Sequence, residues 1–460
     1  MNQSIFREYD IRGIVESDLT DDVVYNLGKA YATLMARRGK TTLVCGHDLR
    51  LSSPHIQSLF IQGLIETGAE VLNIGQVTTP ALYFAILYLS AQGGTMITGS
   101  HNPIEFNGFK MCEGIGSVFG QDIQLIKKMM LDNDYDLKSG GQQKTIDVLP
   151  HYINMLKNKF TMKRPLKIVV DAGNATAGPI APDIWRSYGL EVVELYCEPD
   201  GSFPNHLPDP TVPKYMKDLQ EKVIAENADL GLGYDGDADR VGAVDDKGRL
   251  IFADTLLTLF SRDVLKRKPD SQIIFDVKCS QSVATEIARA GGKPLMYKTG
   301  HSLLKAKMKE TGAPFAGEMS GHMFFADDYY GFDDGIYASG RLLEIISNSD
   351  KSLSQMVDEL PQFVSTPEIR VDCADQEKIK VVETLADDFR QEFKVIDIDG
   401  ARVQFDHGWG LVRASNTQPT LVLRFEAQTR EHLLEIMDIF KKKLASIPAI
   451  IFAEKDFDLS

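Results

Sequence analysis

Short β-branched runs followed by polar loops and then by apolar residues at helical spacing recur three times along the 460-residue chain. They are TTLVCGHDLRLSSPHIQSLFIQGLIETG from Thr41, LKIVVDAGNATAGPIAPDIWRSYG from Leu166 and SQIIFDVKCSQSVATEIARAGG from Ser271. Each predicts a strand, an Asp-containing loop and an amphipathic helix stopped by glycine. Each is followed by a second strand candidate (AEVLNIG, LEVVELY, KPLMYKTG), which completes a β-α-β unit. Repeats about a hundred residues apart are too widely spaced for a solenoid, so the pattern predicts three similar α/β domains in series.

The rhythm changes over the last hundred residues. PEIRVDCAD, FKVIDIDGARVQF, GWGLVRASN and PTLVLRFEAQ alternate like strands of a half-buried antiparallel sheet, with DG as a hairpin turn. TREHLLEIMDIFKKKLASI returns to helical spacing. The predicted class is therefore α/β, a four-domain chain of three similar α/β domains with mixed sheets plus a C-terminal α+β domain. Polar or Pro-rich stretches place the domains at 1–146, 147–249, 250–361 and 362–460.

Composition narrows the function classes. Hydrophobic residues at 43% with 25% charged residues describe a soluble globular protein. The charged N-terminus and the lack of any run of ~20 apolar residues predict neither a signal peptide nor a membrane span. Cys45, Cys112, Cys197, Cys279 and Cys373 are scattered and read as reduced thiols, which predicts a cytoplasmic protein. A net charge of -15 argues against a nucleic-acid surface, so positive charge for an anionic ligand must be concentrated locally.

Four stretches carry candidate chemistry. In MITGSHNP, Ser100 is either a nucleophile or the corner of a turn built from Gly, Ser, Asn and Pro. In YDGDADR, Asp235, Asp237 and Asp239 alternate, so an extended backbone would put them on one face, suited to a hard divalent cation such as Mg2+. A solvated acidic turn is the alternative. An EF-hand is excluded because Arg240 stands where a calcium loop needs glycine. The G-x-G-x-x-G spacing of Gly231, Gly233 and Gly236 opens no helix, since RVGAVDDKGRLIF reads as strand, turn, strand. In FAGEMSGHMFF, Glu318, Ser320 and His322 suit sugar hydroxyls, or form a polar turn. In RASNTQPT, Arg413, Ser415, Asn416 and Thr417 form a phosphate clamp or a plain strand connection. Tyr9, Arg12, Lys110, Lys278 and His301 would add positive charge and proton donors.

TGSHNP, DGDADR, GEMSGH and RASNT, in that order and about a hundred residues apart, closely resemble the α-D-phosphohexomutase family. The resemblance covers essentially the whole chain, and GEMSGH is similar to the sugar loop of its bacterial phosphomannomutase/phosphoglucomutase branch. It implies four domains around a central cleft and interconversion of hexose 1-phosphate and hexose 6-phosphate. Ser100 would be phosphorylated at rest, with Asp235, Asp237, Asp239 and the Ser100 phosphate binding Mg2+. Glucose 1,6-bisphosphate would be the intermediate and activator. Glu318 and Ser320 would bind sugar hydroxyls, and Arg413, Ser415, Asn416 and Thr417 the non-reacting phosphate. Arg12 and Arg240 would lie near the transferring group, with Tyr9, His101, Asn102, Lys110, Lys278, His301 and His322 lining the cleft. Lys110, His101 and His301 are the candidates for proton transfer. Hexose phosphates are the expected partners, without nucleic acid or membrane, for a monomer or weak homodimer. A phosphoglucosamine mutase, a non-catalytic sugar-phosphate-binding protein and a metal-dependent phosphatase are the alternatives. Gly99 stands where alanine is frequent before the serine in the bacterial branch.

Overall fold

The computed structural model describes residues 1–415, 419–448, 450 and 457. Four sheets follow one another along the chain. The first orders strands Ile11–Ile14, Phe106–Glu113, Gly93–Ile97, Thr42–His47, Glu70–Gln76 and Gln142–Thr145 side by side. Thr42–His47 pairs parallel with both neighbours, whereas Gly93–Ile97 and Phe106–Glu113 are antiparallel, so the sheet is mixed. The second orders Leu250–Ile251, Val241–Asp245, Leu230–Tyr234, Lys167–Asp171 and Glu191–Leu195. The third orders Lys293–Tyr297, Gln272–Asp276, Phe315–Gly317 and Met323–Phe325. Both are mixed as well, with parallel pairs at Lys167–Asp171 and Gln272–Asp276.

The fourth sheet is antiparallel throughout its described pairs and is built around Thr420–Ala427, which pairs with Gly408–Ala414, Ile369–Asp372 and Val364–Ser365. The helices Lys378–Arg390 and Arg430–Ala445 cover one of its faces. These are the three mixed α/β domains and the C-terminal α+β domain that the hydrophobic pattern predicts.

The cores are not divided in the same way as the sheets. One continuous apolar cluster includes Val44, Met96 and Cys112 of the first sheet, Trp185 and Leu232 around the second, and Phe260, Phe315 and Ile336 around the third. The helix Thr79–Tyr88 explains the continuity: it is apolar on every side and buried from Thr79 to Ile86, as expected of a helix with no solvent face. Phe84 packs on Tyr152, and Tyr83 packs on Phe332 of the third domain. The fourth domain keeps a separate core running from Ile369 onward.

Candidate active site

In the first three domains the candidate loops leave the carboxyl ends of sheet strands, where open α/β sheets place ligands. Ser100 follows Gly93–Ile97, the three aspartates follow Leu230–Tyr234, Lys278 follows Gln272–Asp276 and Glu318 follows Phe315–Gly317. Ser100 is buried with φ +48°, a left-handed backbone uncommon for a residue with a Cβ. Its hydroxyl donates to Asp235 Oδ2 at 2.9 Å and lies 3.0 Å from His101 Nδ1.

Arg50, fully buried, holds the Ser100 loop in that shape. Its guanidinium donates to the carbonyls of Ser100 (2.8 Å), Asn102 (2.6 Å), Pro103 (2.7 Å) and Phe106 (3.0 Å). Asp48 lies 3.5 Å from Arg50 Nε and also accepts the Gly99 N–H. A methyl group on Gly99 would sit 2.4 Å from the guanidinium, so alanine at this position requires the arginine to move. Sequence reading missed Arg50, because DLRLSSP has the composition of a surface loop.

Asp235, Asp237 and Asp239 are buried with carboxylate oxygens within 4.8 Å of one another. An extended strand does not align them: they sit in a turn between Leu230–Tyr234 and Val241–Asp245, with Ala238 at φ +62°. The turn curls the alternating positions inward. Lys110 Nζ spans the cluster, 2.6 Å from Asp237 and 2.5 Å from Asp239. Burial, Asp239 and Asp237 push the Asp235 carboxyl well above the usual range. Lys110 holds Asp237 below it against burial and the charge of Asp239. Against burial, Lys110, His322 and Arg240 hold Asp239 well below it. Asp237 Oδ1 and Asp239 Oδ1 are buried with no hydrogen-bond partner. Three clustered carboxylates, with Asp237 Oδ1 free of any hydrogen bond and Asp239 Oδ1 meeting only the His322 imidazole in an ion pair at 3.2 Å, fit a hard divalent cation.

The sugar-type loop adjoins this cluster. His322 Nε2 lies 3.2 Å from Asp239 and its Nδ1 2.9 Å from Glu318 Oε2. Although burial lowers its pKa, Asp239 and Glu318 raise His322 to about 9. Glu318, despite burial, is drawn down to about 2 by His322 and Lys278. Glu318 also accepts the Gly300 N–H at 2.6 Å and the Ser320 hydroxyl at 2.8 Å. Arg240 Nε is 3.3 Å from His322, and its backbone N–H donates to Asp235.

The N-terminal segment closes one side. Arg12 bridges Asp10 (2.6 Å) and the side-chain amide oxygen of Asn102 (Oδ1, 3.0 Å), which ties it to the Ser100 loop. The Tyr9 hydroxyl donates to the Thr299 carbonyl at 2.7 Å, and its ring packs edge-on to His301. His301 is buried, and desolvation together with Lys305, His322 and Lys110 keeps its imidazole neutral.

From the fourth domain, Arg413 pairs with Asp399 at 3.0 Å, and Asp399 accepts the Thr299 N–H, so this domain joins the same network. Lys278 pairs with Glu368 at 2.6 Å across the third and fourth domains. Ser415 is buried and its carbonyl accepts from Lys378. Asn416 and Thr417 lie outside the described residues. The described candidates other than Ser415 thus converge from four domains on one contact network.

Family models for the α/β/α domains I, II and III of phosphoglucomutase/phosphomannomutase match residues 3–136, 150–248 and 252–363, and the model for the C-terminal domain matches 368–443. The chain belongs to the phosphoglucomutase/phosphomannomutase family. The phosphomannomutase/phosphoglucomutase of Pseudomonas aeruginosa is 47% identical over 446 residues, 96% of each chain. A phosphoglucomutase of Neisseria gonorrhoeae is 44% identical over 456 residues, 98% of this chain and 99% of the other. A crystal structure of a family protein from Burkholderia thailandensis superposes with TM-score 0.92 at 42% identity, covering 98% of this chain and all of that one. As in the rest of this family, the net reaction is that of a phosphohexomutase, an isomerase working by phosphoryl transfer.

Proposed function

We propose that the chain interconverts the 1- and 6-phosphates of mannose and glucose, with Ser100 as the phosphoryl carrier. The observation that carries the assignment is the Ser100 hydroxyl, buried in a clamped left-handed turn and 2.9 Å from one of three clustered aspartates. A phosphate-binding site alone needs no such nucleophile beside a metal-type cluster.

Asp235, Asp237 and Asp239 would hold Mg2+, which when bound neutralises charge on the transferring phosphoryl group. In the first half-reaction the bond from phosphorus to Ser100 Oγ breaks as a bond to a sugar hydroxyl forms. The hydroxyl proton passes to a base, the departing Ser100 Oγ takes up a proton, and the product is a hexose 1,6-bisphosphate. After that intermediate turns, the bond from its other phosphorus to the sugar oxygen breaks as one to Ser100 Oγ forms; the serine gives up its proton and the leaving sugar oxygen takes one. The transition state is loose and spreads charge over the phosphoryl oxygens, so the chain works chiefly by alignment and charge. Arg12 and Arg240 supply positive charge near Ser100. Of the proton-transfer candidates, His101, whose Nδ1 lies 3.0 Å from Ser100 Oγ, and His301 are held neutral by burial and nearby cations, whereas Lys110 is protonated between two aspartates. Glu318 and Ser320 hold sugar hydroxyls, while Arg413, Ser415, Asn416 and Thr417 hold the phosphate not in transfer. Glucose 1,6-bisphosphate then serves as activator by recharging Ser100.

The test is kcat/KM for mannose 1-phosphate and glucose 1-phosphate side by side, with Mg2+ and a trace of glucose 1,6-bisphosphate. Turnover of both supports dual use. Turnover of neither, with glucosamine 1-phosphate turned over instead, overturns the assignment. Ser100→Ala is expected to abolish turnover and leave the melting temperature within a few degrees.

A further inference from the structure

We infer that Thr79 is a positioning residue for the divalent cation: its hydroxyl fixes the Asp237 carboxylate so that one oxygen stays free for the ion. The inference rests on the Mg2+ reading of the aspartate cluster proposed above.

Thr79 opens the helix Thr79–Tyr88 of the first domain, and Asp237 stands in the turn after Leu230–Tyr234 of the second. Both residues are completely buried. The Thr79 hydroxyl donates to Asp237 Oδ2 at 2.6 Å, and the Thr79 backbone N–H donates to the Asp237 carbonyl at 2.9 Å. One residue thus grips both the main chain and the side chain of the middle aspartate. The helix itself does not need this hydroxyl. Thr78 is its N-cap, with a side chain that accepts the Ala81 N–H at 3.2 Å. The second threonine serves the carboxylate instead.

Asp237 Oδ2 has a second donor, Lys110 Nζ at 2.6 Å, whereas Oδ1 is buried with no hydrogen-bond partner. The terminal torsion of an aspartate is soft, so an unrestrained carboxylate turns about its Cβ–Cγ bond. Two donors on one oxygen stop that rotation and leave Oδ1 as the atom offered to a hard cation. The two donors are not alike. Lys110 is itself a cation that also pairs with Asp239, so an ion entering the cluster repels it. Thr79 is neutral, and its hold on Oδ2 survives the arrival of the ion. The turn keeps its path without the hydroxyl, because the Thr79 N–H still holds the Asp237 carbonyl and the Thr176 hydroxyl holds that of Gly236 at 2.9 Å. Removing the hydroxyl therefore frees the carboxylate and spares the backbone. The cation geometry of the second domain is in this way set from the first, the domain that carries Ser100.

The experiment titrates the full chain with Mn2+ alone, followed by the paramagnetic resonance of the free ion, in wild type, Thr79→Val, Thr79→Ala, Thr79→Ser and Asp237→Asn. The binding that Asp237→Asn removes marks the site. Thr79→Val and Thr79→Ala should raise the Kd there about 10- to 100-fold, the usual cost of removing a partner that orients a metal ligand. Thr79→Ser keeps the hydroxyl and should stay within about threefold of wild type. In the mutase assay, kcat of Thr79→Val should recover as Mg2+ is raised, with KM for the sugar phosphate within about threefold of wild type. A wild-type Mn2+ Kd in both valine and alanine variants, or a serine variant as weak as alanine, overturns the inference. The alanine and serine variants decide between themselves if Thr79→Val does not fold. Mn2+ binding that Asp237→Asn leaves unchanged overturns the Mg2+ reading and this inference together. Absence of mutase turnover with the Mn2+ pattern intact overturns the proposed function alone and leaves the role of Thr79 standing.

Discussion

At the residue scale, the Ser100 turn is held by an arginine buried among carbonyls. Arg50 engages four of them, and desolvation lowers its pKa while Asp48 opposes the fall. Lysine has no planar fork, so one ammonium cannot reproduce this set of contacts. Arg50→Lys is expected to lower kcat at least tenfold and stability by about 2–4 kcal/mol, since carbonyls and Asp48 lose partners in a dry site. Steady-state kinetics and urea unfolding check both. Wild-type kcat would mean that the turn keeps its shape without the clamp. Ser100→Thr adds a test of the backbone: a β-branched residue at φ +48° is strained, so threonine should be a far poorer carrier than its hydroxyl alone implies.

At the element scale, the helix Gly335–Ser347 begins at Asp334, whose carboxylate caps the Tyr337 N–H at 2.8 Å and accepts from the hydroxyls of Tyr329 (2.6 Å) and Tyr152 (2.8 Å). Burial drives its pKa up to about 6 despite those three bonds. A carboxyl raised in the folded state contributes stability in full below its unfolded pKa and loses it as pH rises through 6. Asp334→Asn keeps a good N-cap without the charge. Its stability relative to wild type should therefore improve by roughly 3 kcal/mol between pH 3.5 and 7, from about two pKa units. Denaturant unfolding across that range measures it, and a pH-independent difference would refute it. Elements of this kind were legible where local chemistry suffices. The strands from Thr41, Leu166 and Ser271 announce themselves as β-branched runs followed by helices ending in glycine. The strand Gln142–Thr145 does not, because all four residues are polar and exposed. For the site, residue identities were legible in the four motifs, but their geometry was not. Alternation alone puts the three aspartates on one face of a strand, whereas the left-handed Ala238 curls them together. Arg50 and Glu368 were silent because each works through partners distant in sequence: Arg50 on carbonyls about fifty positions away, and Glu368 on Lys278.

At the scale of the whole molecule, three domains share one apolar core while the fourth docks through a small separate cluster, Trp409 and Leu411 on Val277 of the third domain, bordered by polar contacts. The Trp409 ring lies under the Arg402 guanidinium at 3.7 Å, and its Nε1–H donates to Glu426 at 2.8 Å. Arg402 reaches the carbonyls of Val277 and Cys279, and Arg424 pairs with Asp254. Trp409→Ala should cost about 3–5 kcal/mol at this junction. Calorimetry is then expected to split one melting transition into two, with the fourth domain melting first and protease cutting near 361–368. One cooperative transition in the variant would show that the junction is not what couples the domains.

The shared core also bears on how the chain is made. The helix Thr79–Tyr88 is synthesised early, but Lys305, which meets Tyr83, is 222 positions downstream. At 5–20 residues per second, that interval is roughly 10 to 45 s on the ribosome. Tyr152 covers Phe84 early in that interval, but the Tyr83 side of the helix has no partner until Lys305 and Phe332 of the third domain are made, so that part of the shared core closes last. A translation pause before Lys305 prolongs that exposure, and one after Phe332 does not.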